Sequence, residues 1–206
     1  MSIIVTPVLV ADLGVEGERM PVYAHVIDHP DARVLIDTGI RDVHPLTVDL
    51  DPRPRPPRDW GVDLAGIDIV VNTHLHFDHC GNNHLFPGTP IHVQRRELDD
   101  ALTLDDYTIR EWVETPGAQY VPVDGELELL PGVRLVPAPG HTRGSQIVVI
   151  DTDTNSGSRP TVVAGDTAVW FGELDEPRTE GQRLVVALQP EAVWLTHTRE
   201  PWRPHP

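Results

Sequence analysis

A layered α/β domain with sheets of mixed or antiparallel pairing is the fold class that these 206 residues predict. Short β-branched runs recur between Gly, Pro, Asp and Asn punctuation, which reads as many strands joined by turns. Helical periodicity is confined to three stretches, so strands outnumber helices. The two element types do not alternate strictly, which argues against a repeated βα unit. Apolar residues at 39% and charged residues at 23% suit a globular chain, and the length suits one domain spanning 1–206.

Strands are expected near 3–10, 22–28, 33–37, 67–72, 91–94, 120–123, 133–137, 145–151, 161–165 and 193–196. The first run, Ile3 to Val10, is short, contains Pro7 and is soon followed by Asp12. It has no basic start and no small-residue cleavage site, so it reads as a strand rather than a signal peptide. Residues 52–58, Pro-Arg-Pro-Arg-Pro-Pro-Arg, cannot form helix or central strand and should run extended, as a loop or a flap at a site edge. Helices are expected over Arg95 to Leu102, Asp106 to Val113 and Glu180 to Leu188, the last with Leu184, Val185 and Leu188 on one face. Asp153 to Pro160 reads as a hairpin tip. No internal repeat or domain boundary is visible.

Charge narrows the functional classes. Sixteen basic residues, all Arg, stand against 32 acidic ones, for a net charge of −16. That field repels phosphate backbones and anionic lipid, so neither nucleic acid nor membrane is an expected partner. Absence of Lys removes Schiff-base chemistry and any P-loop lysine. Cys80 alone permits no internal disulfide and no multi-Cys zinc site. No apolar run approaches the roughly 20 residues that cross a bilayer, and the expected setting is the cytoplasm.

Eleven histidines carry the chemistry. The run Val70-Val71-Asn72-Thr73-His74-Leu75-His76-Phe77-Asp78-His79 ends an apolar segment with three His and one Asp inside six residues. In extended chain His74, His76 and Asp78 would point to one side, and a turn at 78–79 would bring His79 round. Imidazole and carboxylate together suit zinc, iron or manganese. Packed this tightly without a metal, such groups would be a costly polar cluster. Later, His141 falls in a Gly-rich turn, Asp166 at a strand end and His197 at another. Loops at strand ends are where a rigid scaffold presents functional groups.

The elements HLHFDH (74–79), PGHTRGS (139–145), GDT (165–167) and LTH (195–197), preceded by LIDTG (35–39), resemble the metallo-beta-lactamase superfamily over about residues 22–199. The resemblance implies an αββα sandwich, two mixed β-sheets face to face with helices outside. It also implies two Zn2+ ions, with iron or manganese as alternatives. His74, His76 and His141 would hold one metal, Asp78, His79 and His197 the second, and Asp166 would bridge. Asp37 would support a ligand His from behind, and Asp78 could pass a proton to the leaving group.

Asp166 stands where zinc beta-lactamases carry Cys, and His79 where they typically carry Arg. Both departures point to the dinuclear hydrolases, and the sequence around 74–102 and 128–146 is most similar to the N-acyl-homoserine lactonase group. The implied reaction is the opening of an ester or lactone of a small molecule by a hydroxide shared between the metals. Related lactonases include homodimers. That group typically has a Tyr three residues after the bridging Asp; here the position is Val169, followed by Trp170 and Phe171. These three, with Arg143, are the expected substrate-pocket residues, Arg143 as a contact for a substrate carboxylate. The same motifs also suit a glyoxalase II-like thioesterase, a mononuclear iron persulfide dioxygenase-like enzyme, or a non-catalytic metal-binding protein. Structural roles are expected for Cys80, His25, His29, His44, His84, His92 and His205.

Overall fold

In the central strands, period-two alternation runs between two apolar faces rather than between an apolar and a polar one. Within Gln146–Ile150, Ile147 and Val149 enter one buried cluster while Val148 and Ile150 enter another. Within Arg33–Ile36, Leu35 separates from Val34 and Ile36 in the same way. A strand apolar on both sides must be covered on both sides, so two such sheets stack and helices cap the outer faces.

The computed structural model describes residues 3–151 and 159–204. The first sheet runs in the order β4 (Arg53–Pro54), β1 (Ile4–Val15), β2 (Glu18–Asp28), β3 (Arg33–Ile36), β5 (Ile69–Val71), β6 (Pro90–Gln94), β7 (Gln119–Val123). Pairing is antiparallel from β4 to β3 and parallel from β3 to β7. The second sheet runs β12 (Ala192–Trp194), β11 (Thr161–Val163), β10 (Gln146–Ile150), β9 (Val133–Pro137), β8 (Leu127–Leu130), with only β11 and β12 parallel. Ile27, Ile36, Val71, Leu135, Val148 and Ile150 form the layer between the sheets. Ile109 and Trp112 join the outer face of the first sheet, with Trp112 carried by α3 (Arg110–Val113). Leu174 of α4 (Gly172–Asp175) and Val185 of α5 (Glu180–Ala187) cover the second. This is the αββα sandwich.

All ten expected strands occur, nine of them with shifted ends. β1 and β2 are longer than expected because Glu16 and Gly17, both at positive φ, close a two-residue hairpin turn. Residues 53–54 run extended and pair with the edge of β1, and β8 is an additional short strand. The helix expected over Asp106 to Val113 is cut to α3, because Asp106 sits at φ +55° and Ile109 is extended. Two one-turn helices were not legible, α4 and α1 (Phe77–Cys80). The helix from Arg95 runs to Thr103 as α2. Most of the expected hairpin tip at 153–160, and His205, lie outside the described residues.

Candidate metal centre

Strand ends deliver the cluster. β3 stops at Ile36 because Asp37 takes φ +61°, a left-handed conformation that Asp tolerates better than most residues. β5 runs into His74, β11 into Asp166 and β12 into His197, while the turn between β9 and β10 carries His141. Thr73 O accepts from Gln146 N at 2.9 Å, and Thr196 O from Tyr23 N at 2.9 Å, which ties the two sheets together at this edge. Gly165 lies at φ +54°, and a Cβ there would overlap the Thr73 side chain. Only glycine lets these two strand ends approach so closely.

The extended alternation expected through Asp78 ends two residues early. His76 caps α1, accepting from His79 N at 3.0 Å and Cys80 N at 3.2 Å. Asp78 and His79 therefore reach the site from a helical turn. That turn is pinned because Thr38 N donates to His79 O at 2.7 Å and Gly81 N to Gly39 O at 2.9 Å.

The side chains fall into two groups. Ligand atoms of His74, His76 and His141 all lie within 4.8 Å of one another, and so do those of Asp78, His79, Asp166 and His197. Asp166 faces both. Its Oδ2 is 3.2 Å from His197 Nε2, 3.3 Å from His79 Nε2 and 3.8 Å from His141 Nε2. Asp78 Oδ2 lies 3.7 Å from His197 Nε2 and 3.8 Å from His79 Nε2. Rear contacts set ring orientation: His79 Nδ1 is 2.8 Å from Asp37 Oδ2, and His197 Nδ1 is 2.9 Å from Pro21 O. Both rings then present Nε2 to the centre.

The residues present fit a metal. His74 Nε2, His79 Nε2 and Asp166 Oδ1 are buried and have no hydrogen-bond partner, a costly state for polar atoms unless a cation joins them. Burial and the neighbouring rings hold His74 well below its ordinary range, and His76 is held down to about 4 chiefly by burial. Burial also lowers His141. These are neutral imidazoles, the ligand form. For His79, burial opposes the cation but Asp166, Asp78 and Asp37 outweigh it and lift it well above the ordinary value. Asp166 is held well below the carboxylate range, because His79 and His197 overcome its burial. A divalent cation among these groups would replace the protons as the counter-charge.

Access is through a cavity of about 500 Å³ at the His76 and His141 side, walled in part by Tyr107, Arg143 and Thr179. Arg143 is exposed at its rim and donates to Asp100 at 3.2 Å. Trp170 is 62% exposed and walls an adjoining cavity of about 520 Å³ that shares Thr179. Phe171 packs against the core of the second sheet, and Val169 N donates to Glu173 Oε2 at 2.6 Å. Neither borders the two cavities, since the chain after Asp166 turns directly into α4. Sequence reading missed Thr73, Glu97 and Tyr107. Thr73 donates through N and Oγ1 to Asp37 at 2.8 and 2.7 Å, and its place beside His74 was the only available signal.

The metallo-beta-lactamase superfamily model matches residues 17–178. The chain belongs to the metallo-beta-lactamase superfamily. Among its relatives in the superfamily, an N-acyl homoserine lactonase from a Bacillus species is 29% identical over 169 residues, covering 74% of this chain and 67% of that protein. The AiiA lactonase of Bacillus thuringiensis subsp. kurstaki is 28% identical over 170 residues, with the same coverage. A crystal structure of a B. thuringiensis AiiA variant with N-decanoyl-L-homoserine at its active site has a TM-score of 0.72, at 22% identity over 95% of this chain and 92% of that one. A metallo-beta-lactamase-type protein of Thermotoga maritima superposes with a TM-score of 0.70 at 18% identity, over 99% of this chain and 100% of the other.

Proposed function

We propose that this metallo-hydrolase holds two zinc ions and opens the ester or lactone bond of a small molecule, in the manner of the N-acyl homoserine lactonases. The observation that carries the reading is the position of Asp166 Oδ2, within 3.8 Å of nitrogens from both groups. One carboxylate facing two ligand sets suits a two-metal site. His74, His76 and His141 would hold one ion, Asp78, His79 and His197 the other, and Asp166 would touch both. Bound metal would supply an activated water and a Lewis acid for the substrate carbonyl.

The chain's own groups do the rest. Asp37 fixes the ring of His79 through Nδ1, and Pro21 O fixes that of His197. Asp78, facing the centre from α1, is the group placed to carry a proton to the leaving oxygen. Arg143 at the rim would receive a polar or anionic end of the substrate, and Trp170 an apolar one. The relatives named N-acyl homoserine lactonases, one of them with an acyl-homoserine at its active site, support a lactone, and Val169 here stands three residues after Asp166.

The test is proton release from acyl-homoserine lactones, simple γ- and δ-lactones, a phenyl ester and S-lactoylglutathione, each with zinc-loaded and chelator-stripped protein. Zinc-dependent turnover of a lactone or ester is expected. Silence across the panel with metal bound would remove the lactonase reading, and turnover of the thioester alone would replace it with the thioesterase.

A further inference from the structure

Behind the His74, His76 and His141 group sits a carboxylate that none of the motifs contains. Glu97, in the first turn of α2, is completely buried, and none of the ion pairs among the described residues includes it. Three hydrogen bonds satisfy it instead. Oε1 accepts from Leu75 N at 2.8 Å and from the Tyr107 hydroxyl at 2.6 Å, and Oε2 accepts from Thr142 Oγ1 at 2.7 Å. A buried carboxylate is tolerated only with such full satisfaction.

The identity of the three donors is the point. Leu75 lies between His74 and His76, so its N–H fixes the segment that carries both rings. Thr142 follows His141, and its hydroxyl and N–H both meet Ser145 Oγ, at 2.6 and 3.1 Å, closing that turn on itself. Tyr107 places its ring 5.3 Å from that of His76 and walls the same cavity. Burial and the Glu97 carboxylate raise the Tyr107 phenol above its ordinary range, so it stays a donor. The His141 turn also touches α2 directly, since a Cβ on Gly144 would overlap the backbone of Glu97. With Arg143 also donating to Asp100 of α2 at 3.2 Å, the turn is docked on the helix at three points, two of them hydrogen bonds.

We infer that Glu97 is a positioning residue for the three-histidine group, holding the His74–His76 segment, the His141 turn and the Tyr107 wall at one fixed spacing. What the group binds rests on the metal reading above. Rings supported this way are held within the narrow geometry a ligand set needs, and loss of such outer support typically weakens metal binding about 10–100-fold.

Zinc titration of chelator-stripped, full-length protein against a competing chelator dye tests this, with circular dichroism to confirm folding. Wild type should show two uptake steps. Glu97→Ala should weaken one step about 10–100-fold and leave the other in place. Glu97→Gln keeps an oxygen acceptor for Leu75 and Tyr107, so its titration should lie closer to wild type. Should Glu97→Ala not fold, Thr142→Val removes one donor and should weaken the same single step. A folded Glu97→Ala or Thr142→Val protein with both steps unchanged would overturn the inference and leave the metal reading standing. Wild type without zinc uptake would overturn the metal reading and this inference with it.

Discussion

The Nδ1 of His79 lies 2.8 Å from Oδ2 of Asp37, and Asp37 also receives both the N–H and the hydroxyl of Thr73. One buried carboxylate thus sets the tautomer of a candidate ligand and anchors the residue before His74. Replacement by an amide puts an NH2 or a lone oxygen where two donors converge. Asp37→Asn should weaken zinc binding about 10–100-fold, read by the dye titration at constant pH. Unchanged affinity would show that His79 does not need this partner.

Asp78 has a different position, buried in α1 and facing His79 and His197. Asp78→Asn removes a candidate anionic ligand and the proposed proton carrier together. Hydrolysis should fall at least about 100-fold in kcat/KM, with less than full metal measured by elemental analysis. A variant that kept full metal and full turnover would show the assignment of Asp78 to be wrong.

Gly165→Ala places a methyl against Thr73 at a left-handed backbone position. Strain and overlap should cost about 1–3 kcal/mol, seen as a lower Tm in the chelator-stripped protein. The same variant should lose metal affinity, because Thr73 and Asp166 must move apart. A Tm equal to wild type would mean the two strand ends have more slack than their spacing shows.

His25 lies outside the cluster, buried against Trp194, and its Nε2 has no partner. Burial, aided by His79, lowers it from 6.5 to about 3. The unfolded chain therefore binds an extra proton between those values, and the folded chain does not. Stability attributable to this residue is complete above pH 6.5 and falls as pH drops toward 3, by roughly 1.4 kcal/mol per unit at most. Urea unfolding between pH 4 and 7 should show a shallower acid slope for His25→Phe than for wild type. Parallel slopes would mean that another group carries the acid sensitivity.

The motif residues were legible because each ligand type stands beside a strand end or turn that local sequence marks: Val70-Val71 before His74, Val162-Val163 before Asp166, Val193-Trp194 before His197. Strand existence was legible for the same reason, since β-branched runs bounded by Gly and Pro leave few alternatives. The end of extended chain at His76 was not, because α1 is held by Thr38 and Gly39, which lie some 40 residues earlier. Nor was the fate of Phe171, whose apolar side chain suits a pocket wall and a core equally well until α4 turns it inward.

A strand-rich layered α/β domain, a lone cysteine, the −16 charge and seven candidate ligands follow from the sequence by itself. Tertiary structure alone decided that Asp166 Oδ2 lies between two ligand groups, and that Glu97 joins Leu75, Tyr107 and Thr142. Those relations link residues 10 to 87 positions apart, and no local pattern encodes which buried carboxylate meets which donor. Packing of the two sheets fixes that spacing, because a core at crystal-like density leaves each strand end only one place to be.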